Sequence, residues 1–257
     1  MKQITQAQYD EISHCFPTHR GNVTLANLHV LNALLYVAEN GCKWRALPSG
    51  YGDWHTVYTR VSRWFKDGVW AMVFAELRAR HGVEIRVEAF ALDSTTVKVH
   101  PDGAGALRRH GPQSLGRSRG GLTTKIHVLG ANDREAVDFS LSAGNAHDDP
   151  QGRALLSRRD RLETPKPLLM DKAYEGDEMR RVARKLGYKP TVPPRANRKK
   201  PWRFSKKLYR RRNEIERLFR NLKSFRRIFT RYDKLDVIYR GFIFFALSVM
   251  LFCVNTP

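Results

Sequence analysis

Asp93 and Asp171 each close an apolar run, ALDS and LLMD, and Glu216 lies in the basic stretch KKLYRRRNEIERLFRNLKSFRRI. In open α/β sheets, sites are built outside the carboxyl ends of strands, so two strand-end aspartates mark one candidate site. Taken singly, such an aspartate is more often a cap or turn residue. Two together in a strongly basic chain point instead to hard oxygen donors for Mg²⁺ or Mn²⁺. A pair of such ions calls for a third carboxylate, and the chemistry it serves is metal-assisted displacement at a phosphodiester.

The basic stretch can supply that third group. In a helix, Tyr209, Arg212, Glu216 and Lys223 are offset by three, seven and fourteen positions, which at about 100° per residue puts them within an arc of roughly 60°. Leu208, Ile215, Leu218 and Leu222 form the neighbouring apolar face, so the helix can dock on a sheet while the polar stripe faces along its edge. Glu214 falls off the stripe, which favours Glu216 as the ligand, although spacing alone leaves Glu214 open. Without the aspartates, the same stretch would read as a solvated amphipathic helix.

A formal charge of +21 and an isoelectric point near 10.3 call for a polyanionic partner, and nucleic acid is the first choice. With 42% hydrophobic residues and five tryptophans the chain reads as a folded globule and not as a basic tail. Cys15, Cys42 and Cys253 are far apart and in no paired motif, so neither a disulfide framework nor a zinc site is indicated. The first residues, MKQITQAQYD, lack the apolar region of a signal peptide, and a cytoplasmic, nucleoid-associated location is expected. The apolar run Gly241 to Val254 is shorter than the roughly 20 residues that span a bilayer and is expected to be a buried helix. The glycine-rich segment Pro101 to Gly121 has no phosphate-loop motif. It is either a linker or a loop whose Arg108, Arg109, Arg117 and Arg119 meet a phosphate backbone.

The elements that must position these residues follow from periodicity. Helices are expected over Gln6 to Cys15, over Leu25 to Glu39 ending at Gly41, after Asp53, and over Val69 to Arg80. Together they form a small helix-turn-helix-like domain over 1–82, in which Thr56, Thr59, Arg60 and Arg63 face outward toward a DNA groove. The plain alternative is a helical packing module. From Glu84 the period changes to two, and a strand is expected to run into Leu92 and Asp93. Strands over Thr123 to Leu129 and Ala136 to Leu141 flank a turn, and Lys125 at the start of the former is assigned to the DNA contacts. A helix over Asp149 to Arg158, a strand over Pro167 to Met170, a helix over Asp177 to Leu186 and an extended run over Tyr188 to Pro193 complete a mixed α/β domain over 83–257.

The set Tyr209-x2-Arg212-x3-Glu216-x6-Lys223 resembles the YREK motif of bacterial DDE insertion-sequence transposases. The runs LDSTTVKVH, GRSRGGLTTKIHV, MDKAYEGDEMR, RRNEIERLFRNLK and RRIFTRYDK are similar to the insertion-sequence-five family, and GCKWRALPSGYGDWHTVYTRVSRWFKDGVW resembles its helical N-terminal domain. Ala173 stands where that resemblance expects glycine. The resemblance implies an RNase H-like mixed sheet flanked by helices, with Asp93, Asp171 and Glu216 as catalytic, metal-holding residues. It also implies two Mg²⁺ or Mn²⁺ ions, double-stranded DNA as partner (element ends and target), no membrane, and at least a homodimer on DNA. Arg212 and Lys223 would contact phosphates, and Tyr209 would donate a hydrogen bond or stack on a base. About a third of all lysines and arginines lie between Arg195 and Lys234, a segment expected to track the backbone. His100, His127 and His147 are expected to be structural or DNA-facing, not catalytic bases. The rival readings are a non-catalytic DNA-binding descendant or repressor, and an RNase H-like nuclease or resolvase that cuts without joining.

Overall fold

The computed structural model describes residues 3–18 and 25–254. Its compact units interleave along the chain: one comprises Gly82–Lys98 and Ser114–Asn221, the other Met1–His81, Val99–Gln113 and Leu222–Pro257. The sequence suggests a single division at residue 82, and the contacts divide the chain differently.

The sheet is carried by Phe90–Val99 (β1), Gly116–Ser118 (β2), Gly121–Gly130 (β3), Ala136–Ala143 (β4), Lys166–Met170 (β5) and Tyr188–Thr191 (β6). β1, β3 and β4 form the expected antiparallel meander, while β5 runs parallel to β1 and β6 parallel to β5. The strand order is β2-β3-β1-β5-β6, with β4 also on β3. Asp177–Lys185 joins the parallel pair β5 and β6, as a parallel crossover requires, while the chain returns from β1 to its parallel partner β5 through β2, β3, β4 and the helix Asp148–Leu156. Helix Asn213–Ser224 presents buried Ile215 and Leu218. A methyl at Gly130 would meet Leu218 at 3.1 Å, so the missing side chain there lets the helix sit close on the sheet.

One strand begins later than expected. Val83–Arg86 is a single helical turn entered through Gly82 at φ +59. Val83 and Val87 are buried while Ile85 is 83% exposed. Burial four positions apart is a helical spacing, and the apparent period of two over 83–89 concealed it. The turn is pinned by Arg86 to Glu135 and Arg159 to Glu84, at 2.8 and 2.5 Å.

In the other unit, helix Gln6–Ile12 opens with a reciprocal cap between Thr5 and Gln8, and Asn27–Asn40 stops at Gly41, whose φ of +65 suits glycine. Asp53 caps Trp54–Lys66 by accepting the Thr56 N–H at 2.8 Å. The terminal helix Asp236–Val254 belongs here, and beyond Arg240 it is apolar and largely buried. Phe242 meets Phe65 at 5.0 Å between ring centroids, and Phe245 meets Trp70 at 4.7 Å. Gly241 lies so close to Phe65 that a methyl would fall 2.2 Å from its ring. Among the described residues no helix is long and apolar enough to cross a membrane. Thr230–Arg231 (β7) lies beside the end of β1, where the His100 N–H donates to the Arg231 carbonyl at 2.9 Å.

Candidate active site

The register of β1 on β5 brings the two aspartates together. Phe90, Ala91 and Leu92 pair with Leu168, Leu169 and Met170, and Asp93 and Asp171 are the next residues on each chain. Asp171 follows the end of β5, as expected. Asp93 does not end its strand: it is the fourth of ten residues, because β3 goes on pairing with β1 as far as Lys98. The parallel partner stops at Met170, and this opens the sheet beside Asp93.

The Asp93 carboxylate is 15% exposed. It accepts the Ser94 N–H at 2.8 Å and an Arg212 guanidinium N–H at 2.5 Å. Burial pushes its pKa up to about 6; the Ser94 N–H and Arg212 pull it down, and Asp171 and Asp148 push it further up. Asp171 caps the turn Lys172–Tyr174 by accepting the Ala173 N–H at 2.7 Å. Ala173 meets this bond with its backbone, so the methyl in place of the expected glycine does not disturb it. Tyr174, the last residue of this turn, is fully buried, and burial raises its phenol, with Asp148 and Asp93 adding to the effect.

Arg212 also donates to Glu216 at 2.6 Å, so one guanidinium bridges Asp93 and Glu216. Glu214 is held by Arg211, which also bonds Glu88, at 2.9 and 2.8 Å. Of the two glutamates, Glu216 is the one linked to Asp93. The continuous helix expected from Tyr209 to Lys223 is broken: Lys206–Tyr209 is one helical turn, Arg210–Arg212 is a 3-10 turn, and Asn213–Ser224 is the helix proper. A 3-10 turn holds three residues, so the stripe calculated at 100° per residue does not run straight through it. Tyr209 packs edge-on against Phe204 at 5.6 Å, and burial raises its phenol. Lys223 lies in the last turn of the helix, and burial lowers its pKa.

The remaining candidates separate into free and occupied cations. Arg63, Arg117 and Arg119 are exposed. Arg60 is half-buried and donates to the Leu25 carbonyl at 2.6 Å. Lys125 is 17% exposed and bonds the Ala146 carbonyl and Asp148 at 2.8 and 3.0 Å, so its ammonium is engaged within the fold. Arg227 and Arg231, in the run expected to track DNA, are buried and paired with Asp233 and Asp236. Asp148 and Ser94 also border the site; in the sequence, an acid pair at the start of Asp148–Leu156 signals helix entry only.

His127 is fully buried, with Nε2 at 2.8 Å from the Ser142 hydroxyl and Nδ1 at 3.9 Å from Asp148. Burial pushes its pKa down to about 4; Asp148 opposes this and Lys125 adds to it. An unfolded histidine titrates near 6.5, so the neutral ring stabilises the fold fully above that pH. The contribution fades as pH falls from about 6.5 through 4, a loss of roughly 3 kcal/mol. Chemical denaturation at pH 7 and pH 4.5 checks this: wild type should lose more stability than His127→Gln, and equal losses would contradict it.

Two carboxylates thus lie side by side where the β1–β5 pairing stops, in a mixed sheet within a strongly basic chain. Residues 87–251 match the family described as "Transposase DDE domain", and residues 4–74 match "Putative transposase of IS4/5 family". The chain belongs to the DDE-domain transposases, and its sheet has their RNase H-like fold. It is 42% identical over 81 residues to an uncharacterized protein of Sinorhizobium fredii, a match covering 32% of this chain and 62% of that one. It is 28% identical over 130 residues to a Brucella ovis protein named "Putative transposase for insertion sequence element IS6501", covering 50% of this chain and 98% of that one. Among solved structures, a piggyBac transposase synaptic complex with hairpin DNA aligns at 10% identity and TM-score 0.36, covering 76% of this chain and 50% of that one. A Mos1 mariner paired-end complex with Mn aligns at 12% and 0.31, covering 88% and 78%. Both are too distant for their site geometry to be compared with this one.

Proposed function

We propose that the chain binds the inverted-repeat ends of an insertion element, hydrolyses a phosphodiester there to free a 3′-hydroxyl, and transfers that hydroxyl to target DNA. The observation that carries this reading is the side-by-side placement of Asp93 and Asp171 past the last paired residues of β1 and β5. Asp93, Asp171 and Glu216 are the residues that would hold Mg²⁺ or Mn²⁺. The donor set fits hard cations, since all its atoms are carboxylate oxygens. Among the described residues no three ligating side chains already converge, because Arg212 stands between Asp93 and Glu216. The guanidinium neutralises the carboxylates that a cation would otherwise neutralise. When bound, the ions supply charge stabilisation on the nucleophile and leaving oxygens.

In the first step the bond from phosphorus to the 3′ oxygen breaks, the water oxygen takes its place, and a proton ends on the freed 3′-hydroxyl. In the second, that hydroxyl forms a new bond to a target phosphorus and a target 3′ oxygen leaves. One phosphodiester replaces another, so no nucleotide hydrolysis is needed. Arg212, once released from the carboxylates, and Lys223 would hold phosphate oxygens as charge-assisted donors, and Tyr209 would stack on a base or donate to it. The helical region 1–82 would read the element ends, with Arg63 on the exposed face of Trp54–Lys66. Pairing of two ends calls for at least a dimer on DNA, at work in the cytoplasm on the nucleoid.

The test is a labelled inverted-repeat duplex with Mg²⁺ or Mn²⁺, scored for end cleavage and joining to a second duplex. Binding should also weaken steeply with salt, with a log–log slope of about −0.9 per neutralised phosphate. Cleavage followed by joining is expected. Cleavage alone would indicate a nuclease, and tight binding with neither metal supporting cleavage would indicate a non-catalytic DNA-binding protein.

A further inference from the structure

On the reading above, the direction in which Asp93 points decides whether a cation is held, and a polar layer on the opposite face of its strand sets that direction. Successive side chains of a strand point to opposite faces, so Ser94 points away from Asp93. Ser94 nonetheless fixes its neighbour, because its backbone N–H donates to the Asp93 carboxylate at 2.8 Å. The Ser94 hydroxyl in turn donates to Asp148 at 2.8 Å, and the same Asp148 oxygen accepts from Lys125 at 3.0 Å. Lys125 is anchored a second time on the Ala146 carbonyl, at 2.8 Å. In the β1–β3 register, Ser94 pairs with His127 and Thr96 with Lys125, which puts Ser94, Lys125 and His127 on one face. Asp148 closes that layer from the first turn of its helix.

The cation in this layer has a second use. Through Ser94, Asp148 lies one residue from Asp93, and Lys125 is its ammonium partner at 3.0 Å. Without Lys125, three carboxylates would crowd one sheet end with one fewer positive charge among them, and Asp148 would have no ammonium to keep it on Ser94.

We propose that Lys125 and Asp148 are positioning residues for Asp93, acting through Ser94, and that Lys125 makes no contact with DNA phosphate. The inference rests on the reading of Asp93 as a metal ligand. It reassigns a lysine that its place in a basic, strand-opening segment marked as a DNA contact.

The experiment compares Mn²⁺ affinity, by titration calorimetry on the full chain without DNA, with the salt slope of DNA-end binding. The variants are Asp93→Ala, Ser94→Ala, Lys125→Met and, as a reference surface cation, Arg119→Ala. Ser94→Ala leaves the Lys125–Asp148 pair intact, so it tests the same route if Lys125→Met fails to fold. Ser94→Ala and Lys125→Met should each weaken Mn²⁺ binding by ~10-fold, the scale seen when a partner behind a metal ligand is lost. Combined, they should weaken it by less than the product of the two, because they break one chain of contacts. Their salt slopes should match wild type, while Arg119→Ala should reduce the slope by about 0.9. The proposal is overturned if Asp93→Ala weakens Mn²⁺ binding and Ser94→Ala does not, or if Lys125→Met lowers the salt slope and leaves Mn²⁺ affinity unchanged. An Mn²⁺ affinity indifferent to Asp93→Ala overturns the metal reading itself, and this inference with it.

Discussion

Asp93→Asn is expected to reduce end cleavage by ~10³-fold or more, since a metal ligand at the reacting phosphate contributes several kcal/mol to the transition state. Binding of the DNA end should stay within a few-fold of wild type. The carboxylate is only 15% exposed, and its charge repels phosphates, so neutralising it removes nothing that holds DNA. The same variant should be more stable than wild type in EDTA at pH 8. An acid whose folded pKa is raised from 3.8 to about 6 binds more protons folded than unfolded across that window, so its ionisation destabilises the fold as pH rises through it. The cost is roughly 3 kcal/mol above pH 6 and vanishes near pH 4. Asparagine has no such titration. Thermal melts at pH 8 and pH 4.5 should show a gain about three times larger at the higher pH; a loss of stability at pH 8 would mean that the Arg212 bond outweighs the burial of the charge.

Arg231→Met is expected to destabilise the chain by about 3–5 kcal/mol, the range for breaking a buried ion pair from one side. Arg231 is fully buried. It donates to the Asp233 and Lys234 carbonyls at 2.8 and 3.2 Å and to the Asp236 carboxylate at 2.8 Å, with its guanidinium 5.0 Å from the centre of the Tyr239 ring. Methionine fills the volume but leaves two carbonyls and a carboxylate without these donors. Arg231→Met with Asp236→Asn should be less destabilised than the single change, because the stranded charge is gone. The salt slope of DNA binding in the folded fraction should equal that of wild type. A slope reduced by about one would mean that Arg231 reaches a phosphate after all.

The helices were legible because their signals are local. Asp53 capping Trp54–Lys66, Gly41 closing Asn27–Asn40 and the bounds of Val69–Arg80 all depend on residues within a turn of the helix end. β3, β4 and β5 were legible for a similar reason, since their apolar runs are bounded by turns. The extent of β1 was not. How far a strand runs beyond its parallel neighbour is settled by the partner's length, which no periodicity in 83–99 encodes.

The site divides along the same line. That Asp93 and Asp171 lie together could be read from their matching apolar approaches. That Arg212 holds Asp93 and Glu216 together could not, because it depends on a 3-10 turn at 210–212 and on bonds between residues 119 positions apart. The sign of a charge was visible, but its partner was not. Lys125, Arg227 and Arg231 all read as DNA contacts, yet each spends its charge on a carboxylate within the fold.

The most direct test of the central claim is single-turnover cleavage of a labelled inverted-repeat end in Mg²⁺ by wild type, Asp93→Ala, Asp171→Ala, Glu214→Ala and Glu216→Ala. Loss of cleavage in all but wild type and Glu214→Ala is the predicted result. Cleavage that survives Glu216→Ala and disappears in Glu214→Ala would contradict the assignment of the third ligand, and cleavage that survives Asp93→Ala would contradict the account as a whole.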